Sequence, residues 1–264
     1  MARALAVTDC LNFGSPENPQ IMWQFKECVR GISEACRVFD TPVTGGNVSF
    51  YNESPRGPID PTPVIGMLGL IESGPLTMGF KDEGDRIVLL GETHEELGGS
   101  EYLKQIHRRK QGRPPTVDLA AERRLIKLLL EANRQGLLKS AHDCAEGGLA
   151  VAVAECCIAD ADRMLGATVS LIDGGRRAVA GKSRSPIRAD VALFAESAGR
   201  VIVSCESYQI AALLKLARQA GVPAALLGEV GGKLLVIHPW IEAPIKELNR
   251  AWRGALAPSA ASVA

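Results

Sequence analysis

Apolar strand-like segments alternate with amphipathic helical segments along most of the chain, and this alternation limits the possible folds more than any other feature. The clearest helical segment follows Pro19 and repeats apolar residues every three or four positions: Ile21, Phe25, Val29, Ile32, Cys36 and Phe39. This spacing predicts one apolar helix face. Asn18 is a typical N-cap residue, and Pro19 is typical of the first helical position. The stretch Thr62 to Ile71 is nearly all apolar and predicts a strand buried on both faces.

The alternation continues beyond a glycine- and proline-rich boundary near Ser73 to Gly84. Further helices are predicted from Gly98-Gly99-Ser100 to His107, from Asp118 to Gln135, from the residues after Leu149 to Ala159 and from Ser207 to Ala220. Further strands are predicted at Arg86 to Leu90, Ala167 to Leu171, Ala189 to Phe194, Val201 to Cys205, Ala225 to Val230 and Lys233 to Ile237. This order predicts an α/β or α+β protein with two unequal domains, 1–76 and 84–238, and a frayed tail at 254–264.

Composition excludes several classes of protein. The 264 residues carry 30 Lys and Arg against 30 Asp and Glu, a balance that argues against a dedicated nucleic-acid binder. The longest stretch without a charged residue, Thr41 to Asn52, is too short and too polar to span a bilayer. Seven cysteines without a C-x-x-C pair and four scattered histidines predict reduced thiols and no zinc site. We therefore expect a cytoplasmic protein that binds neither membrane nor nucleic acid.

The segment Gly45-Gly46-Asn47-Val48-Ser49 is the first candidate site. Its glycines permit positive φ angles and a close approach of the backbone to an anion, Asn47 offers a hard oxygen to Mg²⁺, and Ser49 offers a hydroxyl to a phosphate. A tight turn before a strand explains the same residues. The stretch Ala4 to Val7 predicts the tail of a buried strand. Asp9 at its end either accepts hydrogen bonds from a ligand or caps the following helix.

Three further clusters lie in the second predicted domain. Gly98-Gly99 and Gly147-Gly148 each precede a predicted helix, where glycines either bind phosphate or allow close packing. Asp143 and Glu146 form a carboxylate pair that suits a metal or a helix cap, and His142 beside them is more often structural than catalytic. Glu196 near Arg200 suggests an active-site carboxylate or a surface ion pair. The three tryptophans lie on predicted helices, where packing is their expected role: Trp23, Trp240 and Trp252.

Five of these segments together carry a resemblance to a known family. The strings TDCLNFGSPENPQIMWQF, PVTGGNVSFYNES, IDPTPVIGMLGLIE, LGGSEYL and SAHDCAEGGLAVAVAE occur in the order seen in the phosphoribosylformylglycinamidine synthase subunit II family. The resemblance covers residues 4 to about 238. It implies an aminoimidazole-ribonucleotide-synthetase-like fold, with a partial N-terminal α/β domain followed by a C-terminal α+β domain.

The resemblance also implies roles for single residues. Asp9 and Gly46 match positions that contact ATP, Asn47 matches a magnesium ligand, and Ser49 matches a substrate contact. The family protein is an internal duplication, and this chain resembles most of the second half only. The first half carries the catalytic histidine, so no catalytic residue is expected here. The Glu196-Ser197-Ala198 sequence departs from the family's ESQ substrate motif, and no role follows for Asp143, Glu146 or Glu196.

The implied reaction is the purine-biosynthesis ligase step that converts formylglycinamide ribonucleotide to its amidine. ATP activates the amide oxygen, ammonia displaces it, and Mg²⁺ neutralises the phosphates. The implied partners are the missing N-terminal half, a glutaminase subunit and a small bridging subunit. The fragment is expected to be inactive alone, and to dimerise, aggregate or require a complementary polypeptide. The alternative is a non-catalytic nucleotide-binding or interaction module of the same fold, although all four matched positions retain the family's residue types.

Overall fold

The computed structural model describes residues 2–72, 74–173, 176–177 and 187–255. The chain divides into two compact units, unit 1 over Met1–Pro75 and unit 2 over Leu76–Ala264. Residues 256–264 of the predicted tail lie outside the described residues. Both units combine strands with helices, as the alternation in the sequence predicts.

Unit 1 is a three-stranded sheet with one long helix. Its elements are β1 (Arg3–Asn12), α1 (Pro19–Phe39), β2 (Val43–Ser49), the short hairpin β3 (Glu53–Ser54) and β4 (Gly57–Pro58), and β5 (Thr62–Leu70). β1 lies in the centre, parallel to β2 and antiparallel to β5. The helix α1 connects the two parallel strands, as parallel neighbours require a long crossover connection.

The predicted helix and its cap are confirmed. The Asn18 side chain accepts a hydrogen bond from the Gln20 amide, Pro19 is the first helical residue, and Asp40 ends the helix with a φ of 56°. Ile21 packs with Leu11 and Phe13, and further apolar residues of the α1 face surround them. The small core of unit 1 therefore lies between α1 and β1.

The expectation that Thr62 to Ile71 is buried on both faces is wrong. The strand forms as β5, but every residue in it is exposed, and Leu68 retains 66% of its accessible surface. β5 is an edge strand, and the described residues supply no layer that covers it. Trp23 on α1 is likewise 62% exposed, so the expectation that it packs in a core is also wrong.

Unit 2 is built on a seven-stranded sheet of order β14-β13-β8-β12-β6-β11-β7. Its sheet strands are β6 (Arg86–Leu90), β7 (Ser140–Asp143), β8 (Ala167–Ser170), β11 (Val201–Cys205), β12 (Ala224–Val230), β13 (Leu234–His238) and β14 (Ile241–Pro244). The short strands β9 (Ile172–Asp173) and β10 (Arg176–Arg177) pair with each other. Its helices are α2 (Glu101–His107), α3 (Leu119–Arg134), α4 (Gly148–Ile158), α5 (Ala189–Phe194), α6 (Ile210–Ala220) and α7 (Ile245–Gly254). Neighbouring strands are antiparallel except β8 and β13.

The core of unit 2 is centred on α4, which is buried along most of its length. Burial raises the pKa of Cys157 to about 12, and of Cys144 in the same core also to about 12. These thiols therefore stay protonated and unreactive at neutral pH.

Three local predictions in unit 2 are wrong. Trp252 lies on the helix α7, as predicted, but it is 47% exposed and does not pack in a core. Residues 189–194 form the helix α5 instead of a strand, because the run Val191-Ala192-Leu193 is buried on consecutive positions and its pattern fits either element. Trp240 lies in the turn between β13 and β14 and not on a helix, and it packs against the main core. The predicted helix from Ser207 begins as a 3₁₀ turn over Ser207–Gln209 before α6.

Candidate functional site

The four candidate residues of unit 1 lie on two neighbouring parallel strands. In the register between β1 and β2, Asp9 pairs with Gly46, and the next position pairs Cys10 with Asn47. Ser49 ends β2 and pairs with Asn12 at the end of β1. Residues 37 positions apart in the sequence thus become neighbours because α1 brings the two strands side by side.

Gly46 is required by the close approach of Asp9. A Cβ atom added at Gly46 would lie 2.1 Å from Asp9 Oδ1 and 2.5 Å from its backbone oxygen. Neither Gly45 nor Gly46 has a positive φ, and both lie inside β2, so the explanation by a tight turn is wrong. Asp9 lies inside β1 and does not cap α1, whose N-cap is Asn18. Among the described residues, the Asp9 carboxylate has no hydrogen-bond or ion-pair partner.

The strand alternation distributes the four residues over both faces of the sheet. Asp9 and Leu11 lie on the same face of β1, and Leu11 packs against α1. Gly46 pairs with Asp9 and shares that face, whereas Asn47 and Ser49 lie on the opposite one. The structure therefore brings the four residues together as two pairs and not as one cluster on one face.

Ser49 is held by Asn52, a residue that no sequence prediction singled out. Asn52 Nδ2 donates to the Phe13 carbonyl oxygen at 3.0 Å and to the Ser49 carbonyl oxygen at 2.9 Å. Ser49 Oγ lies 3.0 Å from the same Nδ2 and 3.2 Å from Asn52 Oδ1. One amide group thus fixes the Ser49 hydroxyl and joins the loops that follow β1 and β2. The only sequence signal was the position of Asn52 within the string NVSFYNES.

The two Gly-Gly turns of unit 2 pack closely against other backbone segments. A Cβ atom at Gly98 would lie 2.0 Å from the Arg113 carbonyl oxygen, and one at Gly148 would lie 2.5 Å from the Ala195 carbonyl oxygen. Glu196 Oε1 accepts the amide hydrogens of Glu101 and Gly147 beside these turns. The close-packing explanation is therefore the one that the geometry supports.

Neither Asp143 nor Glu146 forms the helix cap considered from the sequence. Asp143 Oδ1 lies 3.3 Å from His142 Nδ1, and Glu155 Oε2 lies 2.9 Å from Nε2. Glu146 is exposed, and the N-cap of α4, Gly147, has no side-chain cap. Over the described ranges, no group of three or more His, Cys, Asp or Glu residues suits a metal ion.

Arg200 is 2% exposed and does not form the surface ion pair considered for it. Its guanidinium donates to the carbonyl oxygens of Ser197 and Ala195 and, at 3.0 Å, to Thr93 Oγ1. Burial lowers the pKa of Arg200, while nearby negative charge, including that of Glu196, acts in the opposite direction. The loop before β11 is thus an internal part of the fold.

A cavity of about 710 Å³ in unit 2 was not expected from any motif. Its lining includes Glu96, Asp118 and Glu122 together with backbone at Gly199 and Gly221. Burial raises the pKa of the Glu122 carboxyl, and the negative charge of Asp118 adds to this effect. The cavity is therefore acidic, and one of its carboxylates is held in an unfavourable environment for its charge.

Comparison with known proteins assigns the chain to a class. Residues 1–71 match the family described as AIR synthase related protein, N-terminal domain, and residues 82–237 match its C-terminal domain. The chain belongs to this AIR synthase related family, which confirms the predicted fold class. No described helix is both long enough and apolar enough to span a membrane.

Within this family the chain is similar to PurL, the phosphoribosylformylglycinamidine synthase subunit, which confirms the resemblance found in the sequence. The protein of that name from Anaeromyxobacter sp. (strain K) is 49% identical over 254 residues, covering 94% of this chain and 32% of the relative. The chain thus spans about a third of the length of such relatives. The structure of T. maritima PurL complexed with ATP has a TM-score of 0.67 and covers 94% of this chain and 38% of its own chain. The structure of T. maritima PurL complexed with FGAR has a TM-score of 0.72 and covers 94% of this chain and 40% of its own chain. Each is 22% identical to this chain.

Proposed function

We propose that this chain contributes residues from both faces of the β1–β2 strand pair to the ATP- and Mg²⁺-dependent site of a phosphoribosylformylglycinamidine synthase. The observation that supports the proposal most directly is the register between β1 and β2. Asp9 pairs with Gly46, and Asn47 and Ser49 follow Gly46 on β2, which ends at Ser49. The similarity to PurL supports it, as does the existence of complexes of T. maritima PurL with ATP and FGAR.

The two faces of the sheet divide the proposed roles. Asp9 accepts hydrogen bonds from the nucleotide, and Gly46 leaves the space beside it open, since any larger residue would displace the carboxylate. On the other face, Asn47 offers its amide oxygen to Mg²⁺, and the Ser49 hydroxyl forms a hydrogen bond with the substrate. Asn52 keeps that hydroxyl in one orientation. A bound Mg²⁺ would be held in part by Asn47 and would neutralise negative charge on the phosphate oxygens.

The residues present fit a magnesium ion only in part. Asn47 is exposed and provides an oxygen of the type that Mg²⁺ prefers, but the described residues contain no cluster of further acidic ligands. We therefore assign Asn47 as a single ligand, with the remaining ones supplied by the complementary part of the enzyme. The same holds for catalysis, because no residue of this chain is assigned to proton transfer.

The proposed partners follow from the share of the relatives that the chain covers. A polypeptide equivalent to the other two thirds of PurL would complete the site and cover the exposed apolar strand β5. A glutaminase subunit would supply ammonia, and a small third subunit would bridge the two. A structure named PurLQS from T. maritima is consistent with such an assembly.

The test is ADP release with formylglycinamide ribonucleotide, ammonia and Mg-ATP. It compares this chain alone, an N-terminal complement from a PurL relative alone, and their mixture. We expect activity in the mixture only, and its loss on Asn47→Ala, with Asn249→Ala on the helix α7 of unit 2 as the matched control. Activity of the mixture that is unchanged by Asn47→Ala would contradict the assignment. A folded complex that binds nucleotide without turnover would favour a non-catalytic binding module.

A further inference from the structure

The Glu196 carboxylate joins the N-termini of two helices in unit 2. Its Oε1 atom accepts a hydrogen bond of 2.9 Å from the amide of Glu101, the first residue of α2. The same atom accepts one of 2.7 Å from the amide of Gly147, the N-cap of α4. These amides are 46 positions apart in the sequence, so the hydrogen bonds link two distant turns through one oxygen.

The α4 N-terminus has no side-chain cap from its own segment. Gly147 has no side chain to cap the helix, and the first turn of α4 contains no acidic residue. A helix N-terminus carries a partial positive charge and unpaired amides, and an anion close to it is stabilising. Glu196 provides that anion from the loop between α5 and β11.

The loop that carries Glu196 is held firmly in place on both sides. Ser197 Oγ accepts a hydrogen bond of 3.0 Å from the His94 amide, and the buried Arg200 guanidinium donates to the Ala195 carbonyl oxygen. Gly148, with a φ of +69°, approaches Ala195 so closely that a Cβ atom would clash. The loop therefore fixes where the carboxylate lies, and the carboxylate fixes the two turns.

We propose that Glu196 is a positioning residue that acts as an internal anion, occupying the oxyanion position formed by the Glu101 and Gly147 amides. It sets the spacing of the two Gly-Gly turns and prevents an anion from solution from binding between them. When its carboxylate is removed, the same position takes a small oxyanion such as formate. This inference is independent of the proposed ligase function, because it concerns unit 2 alone.

The test uses Glu196→Gly and Glu196→Gln in the full chain without nucleotide. We expect Glu196→Gly to lower the Tm by about 5 °C and to increase amide hydrogen exchange at Glu101 and Gly147 at least about tenfold. Added formate should restore both properties in a saturable way, whereas sodium chloride at the same ionic strength should not. Glu196→Gln keeps an acceptor oxygen in place but removes the negative charge. Its decrease in Tm and its increase in amide exchange should therefore be smaller than those of Glu196→Gly but still measurable, and neither should respond to formate.

Glu146→Gly is the matched control, since Glu146 is exposed and adjacent to Gly147 but makes no hydrogen bond to either turn among the described residues. Its stability should not respond to formate. The inference is overturned if formate acts equally on Glu196→Gly and Glu146→Gly, or on neither. If Glu196→Gly does not fold, Glu196→Gln provides the test. The inference is overturned as well if this variant has the wild-type Tm and the wild-type rates of amide hydrogen exchange at Glu101 and Gly147.

Discussion

The contact between Gly46 and Asp9 makes the two glycines of β2 unequal at the scale of single residues. A Cβ atom at Gly46 would overlap the Asp9 carboxylate and backbone, whereas a Cβ atom at Gly45 would meet nothing within 4 Å. We expect Gly46→Ala to lower the free energy of unfolding by about 2 kcal/mol and Gly45→Ala to change it by less than about 0.5 kcal/mol. Urea unfolding of the two variants measures the difference. Equal effects would contradict the close packing of Asp9 on β2.

Glu122 provides a pH-dependent test at the same scale. Burial, assisted by Asp118, raises its pKa in the folded chain, so the folded state binds this proton more tightly than the unfolded state. The contribution of Glu122 to the free energy of unfolding is therefore lowest above the raised pKa, and it increases as the pH falls through that pKa. We expect Glu122→Gln to raise the Tm by about 2 °C at neutral pH, with no difference below the ordinary pKa of glutamate.

Thermal unfolding across a pH series measures this difference, and Glu242→Gln, at an exposed position on β14, is its control. A Tm difference between Glu122→Gln and the wild type that stays constant with pH would show that the substitution acts through packing and not through charge.

Sequence patterns predicted the identities of the site residues better than their arrangement. Asp9 and Asn47 could be selected from residue type and resemblance, but which sheet face each one occupies depends on the strand register. That register is a long-range property, and no local pattern contains it. Asn52 was missed for a related reason, since its role becomes visible only when the Phe13 carbonyl oxygen lies beside it.

At the scale of elements, α3 depends on its N-cap. Asp118 Oδ1 accepts hydrogen bonds from the Ala120 and Ala121 amides, at 2.9 and 3.0 Å. These bonds, led by that from Ala121, hold the pKa of Asp118 below its ordinary value. The stabilisation is therefore present above the unfolded-state pKa and is lost as the pH falls through the lower folded-state pKa.

We expect Asp118→Ala to destabilise α3 and accelerate amide exchange at Ala120 and Ala121, because both amides lose their acceptor. Asp118→Asn should retain most of the protection, since asparagine also caps helices well. Hydrogen exchange followed by NMR or mass spectrometry at neutral pH separates the two variants. Equal exchange in both would mean that charge, and not the cap hydrogen bonds, protects the helix start.

Elements with complete local signals were predicted well, and those that depend on distant partners were not. α1 and α3 have a cap, an amphipathic period and a defined end, so their signals agree. Residues 189–194 lack such signals, and their apolar run fits a buried helix as well as a strand. The strand β5 was predicted correctly as an element, but its burial depends on a layer that the described chain does not contain.

At the scale of the whole molecule, unit 1 exposes more large apolar side chains than an ordinary surface would. Leu68 and Met67 on β5 retain 66% and 59% of their accessible surface, and Val64 on the same strand retains 53%. Val64 and Leu68 lie on one face of β5 and Met67 on the other, so this edge strand exposes apolar side chains on both faces. An exposed apolar edge strand marks an interaction site or an aggregation-prone edge. We therefore expect the isolated chain to self-associate and the proposed complement to suppress that association.

Leu68→Lys tests this expectation, because an exposed side chain contributes little to folding and its replacement mainly changes the surface. We expect the variant to sediment as a smaller species than the wild type, with unchanged circular dichroism, and to bind the complement at least about tenfold more weakly. Tyr208→Lys, at an exposed position of unit 2, is the matched control and should alter neither property. The expectation is contradicted if Leu68→Lys self-associates like the wild type and binds the complement with wild-type affinity. In that case β5 is covered neither by a second copy of the chain nor by the complement, and both bind another face of the chain.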